Sequence, residues 1–298
     1  MDLDSRHKLA ERFRQFALEE CRDSSPLYAV FALTVADDDE LLELAGHCRA
    51  GQPPANLFFA AVHDILLRGD THPLREYYPA FAEPARACDE AAEPFMDFCR
   101  QHYEEIKSLI AVRLVQTNEV RRCVPIQAAF SYVVRAMGNR PLALIEVGTS
   151  AGFNLCWDQY SYGPMTWECD SEVELDTEWR GSKRPPRWEG PPEVCYRAGV
   201  DLNLIDLDDE NERRWLHALI WPEHEVRRNR LSKVIDIARH TKLELQQGDG
   251  VEHLLQMSRQ TPQGSLLCVY HTWVANQMTK EQKTKLMKVI ESIGRSQD

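Results

Sequence analysis

Pro141-Leu142-Ala143-Leu144-Ile145-Glu146-Val147-Gly148-Thr149-Ser150-Ala151-Gly152-Phe153-Asn154-Leu155 reads as three things in succession: a buried strand, a tight turn and the start of a helix. Leu142 to Ile145 is a short, unbroken apolar run between turn signals, the pattern of a strand covered on both faces. Gly148 and Gly152 permit a close turn and a close approach of backbone to a ligand. A helix expected from Phe153 to Tyr160 would point its free N–H groups at the same spot. Open α/β sheets bind their ligands at this edge. A plain strand-to-helix turn without a ligand is the simpler alternative.

Working outward, further strands are expected at Gly199 to Ile205, Leu243 to Gln246 and Leu266 to Tyr270. Helical stretches lie between and after them: two within Asp209 to His240, then Val251 to Ser258 and Glu281 to Ile293. Alternation of this kind predicts a parallel sheet. The segment 161–197 is rich in Pro, Gly and Trp and has no period, so it is expected to be an insertion or lid. Upstream, helices are expected over His7 to Cys21, after a cap at Asp37 or Asp38, from Pro53-Pro54 to a stop at Gly69, over Pro94 to Val112, and from Asn118 to Met137 with a bend at Pro125. The predicted organisation is a helical region over 1–115 and an α/β domain over 116–298.

Composition narrows the function classes. A net charge of −12 repels polyphosphate and disfavours general nucleic-acid binding. The basic stretches Arg180 to Arg187 and Arg227 to Lys233 read as solvated faces. No apolar run is long enough for a membrane span, and the N-terminus lacks the form of a signal peptide. The nine cysteines contain no C-x-x-C pair, which points to free thiols in the reducing cytosol and away from a structural metal site. Trp157, Tyr160, Tyr162, Trp167 and Trp221 read as core or lid packing.

The dinucleotide pattern G-x-G-x-x-G fails, because Ser150 and Phe153 stand where glycines are required. What is present is E-x-G-x-x-x-G, which resembles the first motif of class I S-adenosylmethionine (SAM) methyltransferases. A carboxylate at Glu146, ending a buried strand, is costly without a partner, and SAM brings an ammonium and a sulfonium. On this resemblance the expected fold is a Rossmann-like parallel sheet of methyltransferase type. Glu146, Gly148, Ser150 and Gly152 would hold the methionine part of the cofactor. Asp201, with Asp206 as second choice, would take the ribose, and Asp249 of Gly248-Asp249 the adenine edge. His271 follows the fourth strand and is the candidate on the substrate side, able to accept a proton or orient a small-molecule or protein acceptor. Gln116, Asn118, Glu119 and Arg122, which open the helix leading into the first strand, are expected beside the glycine turn. Capping and surface pairing is the alternative for these four.

Two other readings use the same residues. Gly148-Thr149-Ser150-Ala151-Gly152 also spells G-x-S-x-G, the nucleophile elbow of serine hydrolases, with Asp206 or Asp249 and His271 following in hydrolase order. Against it, Glu146 occupies a strand position that wants an apolar side chain. The last reading is a non-catalytic ligand sensor or partner-binding protein.

Several stretches together resemble the bacterial family called domain of unknown function 2332. They are Ser25-Pro26-Leu27-Tyr28, Pro53 to Leu57, Gln116 to Cys123, Glu146 to Leu155, Asp158 to Tyr162, Gly199 to Leu207, Trp221-Pro222-Glu223 and His271. The resemblance implies a variant methyltransferase fold and carries no activity with it. Four strands are visible where a methyltransferase sheet has seven, so a truncated or short sheet lacking the fifth to seventh strands is expected.

Overall fold

Upstream of residue 141 the chain forms α1 (Leu3–Gln15), α2 (Pro26–Asp37), α3 (Asp39–Ala45), α4 (Pro54–Leu67), α5 (Ala92–Gln101), α6 (Tyr103–Val112) and α7 (Cys123–Met137). The computed structural model describes residues 1–163, 167, 169–188, 190 and 192–296. The remaining positions of the segment read as an insertion lie outside the described residues. The chain divides into two compact units, Met1–Thr117 with Glu210–Asn229 and Asn118–Asp209 with Arg230–Asp298.

In the first unit α4 is the centre. Its run Leu57 to Leu66 is apolar nearly all round, as a helix surrounded by protein must be. Phe13, Phe16, Tyr28, Phe31 and Phe95 pack about it, with Phe31 and Phe95 stacked at 4.1 Å between ring centroids. The charge this helix buries, Asp64, is held by Arg68 one turn on and by Arg214 Nε at 2.9 Å. Arg214 lies on α8, Glu210–Ala218. Two expectations need correction here. The stretch read as one helix over Pro94 to Val112 is two, because His102 leaves helical geometry at φ −105° and ψ 21°. The helix α2 had no counterpart in the sequence reading; Ser25 caps it by accepting from the Tyr28 N–H, and Pro26 fills its first position.

The second unit holds the sheet. The apolar run after Pro141 forms β1 (Leu142–Val147), buried along its whole length. It is joined by β2 (Val194–Asp201), β3 (Glu244–Gln247) and β4 (Leu266–Tyr270). The pairings are all parallel and the order is β3-β2-β1-β4. The mixed α/β class and the parallel sheet are therefore as expected. The chain winds outward from β1 through β2 to β3, then crosses back to β4. This places the switch of direction between β1 and β4. Ile145 and Val147 face α10 (Gly250–Ser258) and α11 (Lys280–Ser296) through Leu254, Met257, Leu286 and Ile293. Alternation along the strand then turns Glu146 to the opposite face. Last of the helices to be placed, α9 (Glu225–His240) carries the end of the first unit's sequence and re-enters the second at Arg230.

Four features differ from expectation. β2 begins at Val194, inside the supposed insertion, because its backbone pairs with β1 from the Val194–Leu142 register onward. It stops at Asp201, whose carboxylate accepts the Asn203 N–H at 2.9 Å and turns the chain. Pro125 lies in the first turn of α7, where no intrahelical donor is needed, and so does not mark a bend. The helix after the glycine turn is a 3₁₀ segment, Phe153–Gln159, interrupted at Cys156. It lacks the aligned dipoles of the α-helix expected there.

This 3₁₀ segment is tied to the sheet by Arg197 of β2, whose guanidinium meets the Asp158 carboxylate at 2.6 and 2.7 Å. Both side chains are about a tenth exposed. Arg197→Met leaves Asp158 without its cation in a desolvated position. It should cost about 3–5 kcal/mol in chemical denaturation, most of which Arg197→Met/Asp158→Leu should restore. A loss below about 1 kcal/mol would show that the pair is not what fastens this segment.

Candidate functional site

The turn that leaves β1 is fastened to β2 by backbone and side chain together. Gly148 N and Thr149 N donate to Val200 O at 2.8 and 3.3 Å, and Gly152 N closes the turn onto Thr149 O at 2.9 Å. Ser150 N donates to Asp201 Oδ2 at 2.8 Å. Ser150 is thereby held at φ 53°, a left-handed conformation that a side-chain-bearing residue adopts at a cost. Gly148, at φ 79°, has a further constraint: a Cβ there would lie 2.6 Å from Val274 Cβ. The space above Gly148 is thus filled by the protein itself, which limits how closely a ligand meets the backbone at that residue.

At the head of the turn, Glu146 has no exposed surface. Its carboxyl accepts from Thr149 Oγ1 at 3.1 Å, Asn154 Nδ2 at 2.8 Å and Thr272 Oγ1 at 3.5 Å. Asn154 is itself fixed on two more sides. Its Nδ2 lies 3.2 Å from Thr272 Oγ1, and its Oδ1 accepts from the Cys123 thiol at 3.4 Å. These donors are neutral. Desolvation outweighs them, and outweighs the more distant positive charge of Arg122, so the Glu146 pKa is pushed up to about 8. At neutral pH the group is mostly a carboxylic acid.

The other expected residues are placed as follows. Asp201, half-buried at the end of β2, spends one oxygen on Ser150 N and the other on Asn203 N. Asp249 caps α10 by accepting from Val251 N at 2.7 Å, and Asp206 accepts from Asp208 N at 2.8 Å. Gly152, at φ 78°, leads into the 3₁₀ segment. His271 is exposed just past β4. Arg122 lies in the 3₁₀ turn Val120–Arg122, with its guanidinium 5.7 Å from the centre of the Trp273 ring. Glu119 caps that turn by accepting from Arg121 N at 3.1 Å, and the half-buried Asn118 opens the second unit. Gln116 belongs to the first unit.

Of the groups that surround the Glu146 carboxyl, the sequence reading had singled out Arg122 but not Thr149, Asn154 or Thr272. Asn154 carried one usable signal: an amide two residues past Gly152 is within reach of the strand end. Trp273 is 63% exposed, unusual for so large an apolar side chain. Among the described residues no group of three His, Cys, Asp or Glu is arranged to hold a metal ion, and no helix is long and apolar enough to cross a membrane. A family model described as "Uncharacterized protein conserved in bacteria (DUF2332)" matches residues 10–298. Comparison with curated proteins and with solved structures gives no match.

The raised Glu146 pKa has a consequence for stability. A carboxyl that titrates near 8 when folded and 4.5 when unfolded contributes its full stabilisation below pH 4.5. That contribution is lost as the pH rises to about 8, because only the unfolded chain ionises in between. Relative to Glu146→Gln, the ligand-free protein should therefore lose on the order of 5 kcal/mol across this window. Urea denaturation of both proteins at several pH values measures it. Parallel pH profiles would mean that the carboxyl is ionised in the folded state.

Proposed function

The chain belongs to the DUF2332 family, and we propose that its second unit is a Rossmann-like domain of methyltransferase type that binds S-adenosylmethionine and acts on a small-molecule or protein acceptor. The observation that carries this reading is Glu146: a fully buried carboxyl, surrounded by neutral donors, at the carboxyl end of the central strand. Strand order supports it as well. β3-β2-β1-β4 matches the order of the first four strands of a doubly wound nucleotide-binding sheet, and ligands of such sheets bind at the switch point.

The residues fit such a ligand in part. Glu146 gains a cationic partner, with Thr149, Asn154 and Thr272 fixing the direction of its oxygens. Each Asp201 oxygen accepts one backbone N–H and keeps a lone pair for a ribose hydroxyl. Asp249 is assigned to the adenine edge, with one oxygen already engaged. The exposed ring of Trp273 offers a stacking face. Bound SAM supplies a methyl group on a positively charged sulfur, and its in-line transfer rests mainly on positioning. Exposed at the substrate side, His271 can take up the acceptor's proton, with Asn118, Glu119 and Arg122 as further substrate-side groups.

A second reading is favoured by one observation, the left-handed φ of Ser150, which a nucleophile elbow shares. Of its acid partners, Asp249 accepts one backbone N–H as a helix cap and Asp206 one in its own turn.

Titration calorimetry of the full chain at pH 7 separates the readings. SAM and its demethylated product should bind, with release of about one proton as Glu146 ionises, detected by repeating the titration in buffers of different ionisation heat. Glu146→Gln should weaken binding about 10- to 100-fold and abolish the proton release. Ser150→Ala should leave binding within a few-fold, whereas a hydrolase would lose its activity on a p-nitrophenyl ester. Failure of the folded protein to bind SAM overturns the proposal.

A further inference from the structure

Glu146 has no exposed surface, and the Val274 side chain fills the space above Gly148. A ligand that is to touch both groups, as in the complex proposed above, meets a glycine turn that is shut. One of the covers has to move before such a ligand enters. Three residues donate to the Glu146 carboxyl, and their backbones are held to very different degrees.

Thr149 belongs to a turn that is bonded to β2 through Gly148 N, Thr149 N and Ser150 N. Its side chain also presses on that strand, since a Cβ at Gly199 would lie 2.6 Å from Thr149 Cβ. Asn154 is fixed at both ends. Its amide meets Cys123 as well as Glu146, and its carbonyl accepts from the Tyr270 hydroxyl at 3.2 Å.

Thr272 has no such backing. Among the described residues, the backbone hydrogen bonds of 272–278 are local, from Asn276 N to Trp273 O at 2.9 Å and from Met278 N to Ala275 O at 3.3 Å. None of Val274–Gln277 is buried. Trp273 holds φ 157° and ψ −29°, which a residue with a side chain adopts at a cost, and its ring is 63% exposed. What seats the segment is slight. The Thr272 hydroxyl lies 3.2 Å from Asn154 Nδ2 and 3.5 Å from Glu146 Oε1. Val274 and Met278 pack, partly buried, against the core of the sheet, and the Trp273 ring lies near the Arg122 guanidinium. Local hydrogen bonds and few buried contacts mark a segment that opens at low cost.

We propose that residues 272–278 are a strap that closes the glycine turn and lifts as a unit to admit the ligand. Thr272 and Val274 flank Trp273, so one movement withdraws the first from Glu146 and the second from Gly148. The inference rests on the reading of this turn as a ligand site and adds how access to it is controlled. In the ligand-free protein the closed form dominates. Apparent affinity is then reduced by the fraction that is open, and at high ligand concentration binding is limited by opening.

Val274→Ala loosens the seat without touching the groups assigned to the ligand. In stopped-flow mixing with SAM, the observed rate for the wild-type protein should level off as SAM is raised. The variant should raise that plateau and the apparent affinity about 3- to 10-fold. NMR relaxation-dispersion and saturation-transfer measurements on the ligand-free protein supply a test that needs no ligand. The amides of 272–278 and Gly148 should share one exchange process, with a larger open population in Val274→Ala. A segment without exchange, or exchange that Val274→Ala leaves unaltered, overturns the strap even where SAM binds. A SAM complex in which Val274 still covers Gly148 does the same. Shared exchange in a protein that fails to bind SAM supports the strap and removes the SAM reading instead.

Discussion

A carboxyl group with no access to solvent, at the end of the central strand of a parallel sheet, is the constraint around which the second unit is arranged. Glu146 draws a donor from the turn, one from the 3₁₀ segment and one from the residues after β4. Three separate stretches are thereby pinned to one side chain. The 3₁₀ form of Phe153–Gln159 is consistent with this, since Asn154 must reach back to the strand while Tyr160 and Tyr270 hydroxyls bond the Phe153 and Asn154 carbonyls. Satisfying the hydrogen bonds of a buried carboxylate is not the same as compensating its charge. Three neutral donors cover the lone pairs, yet desolvation remains the largest influence and keeps the proton on.

The sheet was legible in sequence wherever burial made it uniform. β1 and β4 are short apolar runs bounded by turn signals, and such runs have few other homes. The first half of β2 was not legible, because Val194 to Arg197 are partly buried or exposed and show no apolar stripe. Their strand character comes from backbone pairing to β1, which sequence does not display. The helix α2 was missed for the converse reason. Its residues are apolar on nearly every side, so no periodic contrast marks them, and only Ser25 and Pro26 at its start announced it.

At the site, legibility followed residue chemistry. A carboxylate in an apolar strand is conspicuous, and so is a glycine pair. Thr149, Asn154 and Thr272 are ordinary residues that matter only because folding brings them together. The acidic residues at strand ends were recognised as important, but Asp201 and Asp249 serve first as local scaffolding. Aspartate is favoured at caps and turns for its ability to accept backbone N–H groups. Strand ends are where such groups are unpaired, so this use competes with ligand binding for the same side chains.

Two carboxyl groups on one rim are thus put to different uses by their surroundings. Asp201 faces backbone donors and locks the turn in a conformation that Ser150 would not hold unaided. A turn fixed in advance costs a ligand little to order. Glu146 faces neutral side chains and stays protonated until about pH 8. A cationic ligand at Glu146 must therefore displace a proton, which at pH 7 costs on the order of 1.4 kcal/mol, in exchange for an ion pair formed out of water. Because the proton and the cation compete for the same two oxygens, a neutral molecule gains nothing from the exchange. In the proposed complex, a preference for positive charge would follow from burial of the carboxyl rather than from its negative charge alone.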